Sequence, residues 1–321
     1  MLRDHDHILV PLDGSSLAEV VLPHAVAFAR ILEAPIILMR VVVPEHGSSE
    51  SGAVDPLAWQ IRKTEADAYL ANIAARLQAL DLEVRTKTVE GQPAERIVCI
   101  ANEHKAGLVI LSSHGSGGLS PWNISSTVQK VMLRLYAPAL IVRAYHAEEM
   151  PLDALTYRRL LVPLDGSQRA ESVLSFAATV AQSHGATLLM SHVVRRPEVP
   201  RNKPLSEEEY ELVDRLIALN REELSQYLEN LRDRLSCEVE MRLLVAGNPT
   251  MALQQLAEQE DIDLTLITAH GYSGEARWPY GSIALAFIAY GTTPLFIMQD
   301  LSEEDIVRSV AAEAAAESKG H

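Results

Sequence analysis

The chain has 321 residues, 48% of them hydrophobic, and a formal net charge of −15 at pH 7. This apolar content excludes a disordered chain, and the negative charge argues against nucleic acid, because a phosphate backbone requires a basic face. The two cysteines form no CxxC pair, and no apolar run reaches the ~18 residues needed to span a bilayer. We expect a globular cytoplasmic protein with neither a membrane nor a nucleic-acid partner.

Short apolar runs alternate with longer amphipathic segments along the first half of the chain. The apolar runs predict strands at residues 7–11, 35–43, 83–89, 108–112 and 139–142. In the alternating segment at 83–89, one possible register has Val84 inward and Arg85 outward. Helical spacing of apolar residues, or an opening proline, predicts helices at residues 16–33, 56–80, 93–103 and 125–135.

The second half repeats this order of elements. It predicts strands at residues 160–163, 187–194, 238–245, 264–268 and 295–298, and helices at residues 168–184, 206–235, 249–260 and 282–290. Strands separated by helices of this length form parallel sheets with helices on both faces. The predicted fold class is therefore α/β, with two tandem doubly wound parallel-sheet domains.

Two motifs occur twice, which indicates a tandem repeat. ILVPLDGS at residues 8–15 returns as LLVPLDGS at 160–167, and SHGSGG at 113–118 returns as AHGYSG at 269–274. The repeat predicts domains at residues 1–145 and 157–300, related by pseudo-two-fold symmetry and joined by a linker at 146–156. Residues 301–321 form an acidic, Ala-rich helical tail that either is solvated or faces a partner.

An aspartate follows the first strand of each half, at Asp13 and Asp165. An Asp-Gly-Ser sequence before a helix is typical of a turn with a helix N-cap. The same carboxylate can instead bind a ligand hydroxyl or ring nitrogen, and the two interpretations stay open.

A second turn, after the fourth strand, favours phosphate binding. Gly115 and Gly271 are each followed by nine residues and then by Ser125-Ser126 or Gly281-Ser282 at a helix start. Backbone N–H groups at glycines and at a helix N-terminus attract anions.

With these motifs the chain resembles the universal stress proteins in their tandem two-domain form. The family's pattern is Gly, two residues, Gly, nine residues, Gly, then Ser or Thr; here Ser112 and Thr268 replace the first Gly, and Ser125 replaces the third in the first half. The resemblance implies a Rossmann-like, adenine nucleotide alpha hydrolase-like fold that binds ATP or another adenine nucleotide, with or without Mg²⁺.

The second half matches the pattern better, because Gly281 can adopt a positive φ and has no Cβ, whereas Ser125 has one. The resemblance implies the following preferred site there: Pro163, Leu164, Asp165, Val193, Thr268, His270, Gly271, Gly274, Gly281, Ser282 and Ile283. The corresponding residues of the first half are Pro11, Leu12, Asp13, Val41, Ser112, His114, Gly115, Gly118, Ser125, Ser126 and Thr127.

Several signs of fast chemistry are missing from the sequence. It has no Walker lysine, no carboxylate pair placed for Mg²⁺ and no nucleophile elbow, so we expect no catalytic residue and no metal site. The leading interpretation is a stress-response regulator or sensor that binds an adenine nucleotide. A nucleotide-free scaffold acting through protein partners and a slow ATPase are the alternatives.

The resemblance also implies an intramolecular pseudo-dimer. In single-domain members of the family, two subunits pair through their last strands, whose equivalents here are residues 138–143 and 294–299. Further homodimerisation of the full chain and the identity of a protein partner stay open.

Overall fold

The computed structural model describes residues 7–43, 56–117, 124–135, 137–144, 150–197, 206–272 and 279–299. Two of the predicted site residues, Gly118 and Gly274, lie outside this part of the chain, and so do the predicted tail at 301–321 and the first residues of the predicted linker.

The first half contains five strands, which are β1 (Ile8–Pro11), β2 (Ile36–Val42), β3 (Val84–Glu90), β4 (Leu108–Ser112) and β5 (Ala139–Val142). Their order is β3-β2-β1-β4-β5, and every neighbouring pair is parallel. The helices are α1 (Ser16–Glu19), α2 (Leu22–Leu32), α3 (Pro56–Gln78), α4 (Pro93–Glu103) and α5 (Ser126–Met132).

The second half repeats this arrangement with β6 (Arg159–Leu164), β7 (Thr187–Arg195), β8 (Val239–Ala246), β9 (Leu264–Thr268) and β10 (Leu295–Met298). Their order is β8-β7-β6-β9-β10, again with parallel neighbours. The helices are α6 (Gln168–Glu171), α7 (Leu174–His184), α8 (Glu207–Arg232), α9 (Pro249–Gln259) and α10 (Ser282–Tyr290). The predicted parallel α/β class is confirmed.

The central strands of each half are almost wholly buried. Leu9 and Val10 of β1 and Leu160 and Leu161 of β6 are at most 1% exposed, as expected for strands covered by helices on both faces. In β3, which ends the strand order of its half, Val84 is buried and Arg85 exposed, so the predicted register is correct.

The predicted helix at residues 16–33 is wrong as a single helix, because the chain turns between α1 and α2. Pro23, in the first turn of α2, has no N–H to continue the helical ladder back to α1. The helix predicted at 168–184 breaks at the same place without a proline. There the hydroxyl of Ser172 donates to the carbonyl oxygen of Arg169 at 2.7 Å, which closes a tight turn.

The other element ends differ from prediction by a few residues. α8 begins at Glu207 because Ser206 is its N-cap, in a reciprocal capping box with Glu209. Among the described residues, no helix is both long and apolar enough to cross a membrane.

In each half the strand order reverses at the first strand, between β1 and β4 and between β6 and β9. Crevices at the carboxyl ends of strands at such reversals are where open α/β sheets bind ligands. Asp13, at the end of β1, and Asp165, at the end of β6, lie at these reversals.

Candidate functional site

Each aspartate joins two turns at the carboxyl edge of its sheet. Oδ1 of Asp165 accepts hydrogen bonds from the N–H and hydroxyl of Ser167 at 3.0 and 2.6 Å, and Oδ2 accepts one from the N–H of Tyr272. Asp13 repeats the pattern with Ser15, at 2.9 and 2.6 Å, and with the N–H of Ser116 at 2.7 Å. The carboxylate thus ties the turn after the first strand to the glycine turn after the fourth.

The glycine at the centre of the second turn is required by this clamp. A Cβ on Gly271 would overlap Oδ2 of Asp165, and a Cβ on Gly115 would overlap Oδ2 of Asp13. The second glycine of the motif therefore makes room for the aspartate of its own domain, a role that the sequence pattern did not indicate.

The structure supports the turn-and-cap interpretation of both aspartates. Ser15 and Ser167 cap α1 and α6 by accepting from the N–H groups of Ala18 and Ala170 at 3.2 and 3.1 Å. A carboxylate can accept about four hydrogen bonds, and the three donors at Asp165 leave capacity for a ligand hydroxyl. The two interpretations of the aspartate are compatible.

Ser112 and Thr268, which replace the first glycine of the motif, use their hydroxyls within the turn. Oγ of Ser112 lies 2.6 Å from the carbonyl oxygen of His114 and 2.7 Å from that of Leu17, which share its one hydroxyl hydrogen. Oγ1 of Thr268 donates to the carbonyl oxygen of His270 at 2.7 Å. The departure from the family pattern therefore closes the turn with an added hydrogen bond.

The two histidines of the motif point into the protein. His114 is 5% exposed and His270 is 3% exposed. Nδ1 of His114 lies 3.0 Å from Oγ of Ser113, which also accepts the N–H of Ala144 at 3.0 Å. Because Ser113 accepts from Ala144, its hydroxyl hydrogen is available to Nδ1. This contact makes His114 a hydrogen-bonded residue of the turn.

The expected reason for preferring the second half is wrong. Gly281 has φ −71° and Ser125 has φ −59°, so neither position requires a left-handed backbone. A Cβ on Gly281 would lie 3.5 Å from the carbonyl oxygen of Ala269, which is an ordinary contact. The N–H of Gly281 also donates to that oxygen at 2.7 Å, so it is not available to a phosphate.

The two halves differ instead in how the following helix is capped. Oγ of Ser125 accepts the N–H of Val128 at 3.3 Å and so caps α5. Gly281 has no side chain to do this, and no side chain of the described residues caps α10. The N–H groups of the first turn of α10 therefore remain available to an anion, and the helix dipole favours one there.

A cavity of about 470 Å³ opens in front of this helix start, a volume in the range of small-molecule sites. All of the residues predicted for the second-half site line it, except Gly274, which lies outside the described part of the chain. Its other lining residues are Ala170, His192, Val194, Arg195, Asn220, Leu224, Pro249, Leu253, Ile267, Ala269, Tyr272 and Ala284.

The universal stress protein family model matches this chain twice, over residues 5–143 and 156–299. The chain belongs to the universal stress protein family. A curated universal stress protein of Mycolicibacterium smegmatis is 26% identical over 302 residues, covering 91% of this chain and 96% of that one. The universal stress protein MJ0531 of Methanocaldococcus jannaschii is 27% identical over 143 residues, which are 42% of this chain and 81% of that one.

Two solved structures share the fold along nearly the whole chain. A universal stress protein from Archaeoglobus fulgidus has a TM-score of 0.65 at 18% identity, covering 92% of this chain and 99% of that one. Protein PA1789 of Pseudomonas aeruginosa, described as functionally unknown, has a TM-score of 0.69 at 15% identity, covering 98% and 99%. The double match of the family model confirms the predicted tandem form.

In the first universal stress domain the predicted residues gather at the same edge of the sheet. Pro11, Leu12 and Asp13 lie at the end of β1, Val41 lies near the end of β2, and Ser126 and Thr127 open α5. Gly118 lies outside the described residues.

The electrostatics of the second universal stress domain's cavity suit a ligand with a charged end and an apolar end. Burial lowers the pKa of His192, against the opposing effects of nearby Asp165 and of a backbone hydrogen bond at Leu164, and so favours the neutral ring. Arg195, which is exposed, contributes a cation to the lining, and the start of α10 contributes a partial positive charge.

Apart from Val193, sequence reasoning missed the part of the cavity supplied by β7 and α8. His192, beside the predicted Val193, and Asn220 on α8 belong to no motif. An alignment of the two repeats draws attention to the first of them, because Arg40 replaces His192 in the first domain.

Proposed function

We propose that the second universal stress domain binds an adenine nucleotide such as ATP, and that the chain acts in a stress response through binding rather than rapid turnover. The observation that carries the proposal is the cavity itself. It lies at the reversal of the strand order and joins, in one lining, the residues that the family resemblance implies.

The phosphates would lie at the start of α10. Ser282, Ile283 and Ala284 form its first turn, all three line the cavity, and no side chain of the described residues caps the helix. Backbone N–H groups in this arrangement bind phosphate without a lysine, which suits a sequence that lacks a Walker motif.

The nucleoside would occupy the opposite end. Pro163 and Val193 offer apolar surface to a base, and Asp165 keeps the capacity to accept one ribose hydroxyl. No group of three or more His, Cys, Asp or Glu side chains in the described residues could hold a metal ion, so any Mg²⁺ would arrive with the nucleotide phosphates.

Two measurements test the proposal. Purified protein is heat-denatured and the released small molecules are identified by mass spectrometry; ligand-free protein is then titrated with ATP by calorimetry. We expect an adenine nucleotide among the released molecules and saturable ATP binding. If nothing is released and ATP at about 1 mM, the weak end of the affinity scale, produces no binding heat, the scaffold alternative is favoured.

A further inference from the structure

One of the differences between the two domains lies beside the site, on β2 and β7. The register pairs Pro11 with Met39 and Pro163 with Ser191, so the next residues, Arg40 and His192, occupy equivalent places near the ends of β2 and β7. An arginine in the first domain thus stands where the second domain has a histidine that lines the cavity.

Arg40 reaches across the carboxyl edge of its sheet to the turn after β1. A Cβ on Gly14 would lie 2.8 Å from Nη2 and 3.0 Å from Cζ of Arg40. The guanidinium carbon lies 5.1 Å from the centre of the Tyr69 ring, within cation–π range. The side chain therefore lies between the Asp13-Gly14 turn and α3.

In the second domain, no atom of the described residues occupies the equivalent space. Gly166 has φ +83°, close to the +89° of Gly14, yet none of these atoms lies within 4 Å of a Cβ built on it. The surrounding frame is alike, because Tyr69 donates to Glu19 at 3.1 Å and Tyr227 donates to Glu171 at 2.9 Å. Within the described part of the chain, Arg40 reaches into this spot in the first domain and no side chain does so in the second.

Opposite charges favour this position of Arg40. Burial raises the pKa of Tyr69, Glu19 and Asp13 raise it further, and Arg40 lowers it, which places both carboxylates and the guanidinium near one ring. A nucleotide entering here would have to displace the arginine from the tyrosine and from the neighbouring carboxylates.

We propose that Arg40 fills the nucleotide space of the first domain, so that the chain binds one nucleotide rather than two. This inference rests on the proposed function of the second domain. The exchange of one side chain would then divide the two repeats into a binding domain and a closed domain.

The test is ATP titration by calorimetry of the full chain, freed of bound ligand. We expect one site in the parent, and with Gly281→Asp a loss of about a hundredfold or more in its affinity, because this variant places a carboxylate at the proposed phosphate position. Adding Arg40→His to Gly281→Asp should restore one site, now in the first domain. That site should be weaker than the parental one, because Ser125 already caps α5.

A mirror variant makes the test independent of whether Arg40→His folds well. His192→Arg alone should weaken ATP binding by at least about tenfold relative to the parent, because it places in the second domain the arginine that fills the equivalent space in the first. Circular dichroism melts check that each variant is folded.

The outcomes separate this inference from the proposed function. Three outcomes would each overturn the role of Arg40. The parent binds ATP at two sites, His192→Arg binds ATP with parental affinity, or the folded double variant of Gly281→Asp and Arg40→His binds none. A parent that binds no ATP, or a Gly281→Asp variant that binds it like the parent, would instead contradict the proposed function.

Discussion

Asp13 and Asp165 hold the same three hydrogen bonds in their own domains, yet we expect only one of them to face a nucleotide. Asp165→Asn removes the charge that strengthens the contacts with Ser167 and Tyr272. We expect a loss of about 1–3 kcal/mol in the free energy of unfolding together with weaker ATP binding. Urea unfolding and ATP titration measure the two effects.

Asp13→Asn is the matched control. It should lower stability to a similar degree and leave ATP affinity unchanged. Equal losses of affinity in both variants would show that the two domains contribute to one site, contrary to the proposal.

The Asp13 contacts also predict a pH dependence. Burial alone would raise the pKa of Asp13, but the hydrogen bonds from Ser15 and Ser116 outweigh it and hold the pKa below 3.8. A carboxyl whose folded-state pKa is lowered stabilises the fold above its unfolded pKa, and this stabilisation is lost as the pH falls through the folded pKa. The difference in urea midpoint between parent and Asp13→Asn should therefore be larger at pH 7 than at pH 3. An equal difference at both pH values would contradict this account.

A substitution at Gly271 also tests the contacts by which Asp165 ties the turn at Ser167 to the turn at Tyr272. Gly271→Ala places a methyl group on Oδ2 of Asp165, so the two turns must separate. We expect a loss of about 1–3 kcal/mol, as in other overpacked sites, and a loss of ATP binding. Gly117→Ala, whose added Cβ has no atom of the described residues within 4 Å, should change neither thermal stability nor affinity. Equal thermal stability and equal ATP affinity in the two alanine variants would contradict this role of Gly271.

At the scale of elements, exchanging the N-cap residues of α5 and α10 should have opposite effects on stability. Gly281→Ser should cap α10 as Ser125 caps α5, adding a few tenths of a kcal/mol to stability while occupying one N–H needed by phosphate. We expect ATP affinity to fall by about tenfold. Ser125→Gly should slightly lower stability and leave ATP affinity unchanged. Thermal melts and calorimetry of Gly281→Ser and Ser125→Gly measure both effects. If Gly281→Ser binds ATP like the parent, the cap has a purely structural role.

Most of the elements could be predicted from the sequence, because the apolar runs of the strands and the helical spacing of the helices are local signals. The break between α1 and α2 could not, since the equivalent break between α6 and α7 occurs without a proline. In the second half the hydroxyl of Ser172 donates to the carbonyl oxygen of Arg169 at the break between α6 and α7, and a serine in a helical pattern does not by itself indicate this.

The candidate site was predictable where a motif repeats and unpredictable where the two copies differ. The role of Gly271 depends on the position of Asp165, which precedes it by 106 residues in the chain. The sequence favours the second half because Gly281 can adopt a positive φ, and its φ of −71° does not support that reason. The role of Arg40 could not be predicted from the sequence, because it depends on the direction that the side chain takes toward Gly14 and Tyr69.

At the scale of the whole molecule, slow or absent hydrolysis is expected. The sequence offers no Walker lysine and no placed base to activate water, so ATP turnover should stay below about 1 s⁻¹, the low end of ordinary enzymes. Phosphate release by the full chain, with and without Mg²⁺, measures this. Faster release would favour the ATPase alternative. The pairing of residues 138–143 with 294–299 stays a prediction.

The central claim is that an adenine nucleotide binds in the second domain with its phosphates at the start of α10. Gly281→Asp tests it most directly, because aspartate is a good N-cap and should leave the helix folded while placing a negative charge against the phosphates. The measurement is calorimetric titration with ATP of the parent, of Gly281→Asp and of the matched first-domain variant Ser125→Asp. We predict that Gly281→Asp loses about a hundredfold or more in affinity and that Ser125→Asp binds like the parent. Parental affinity in Gly281→Asp, with a loss in Ser125→Asp, would place the site in the other domain and contradict the account.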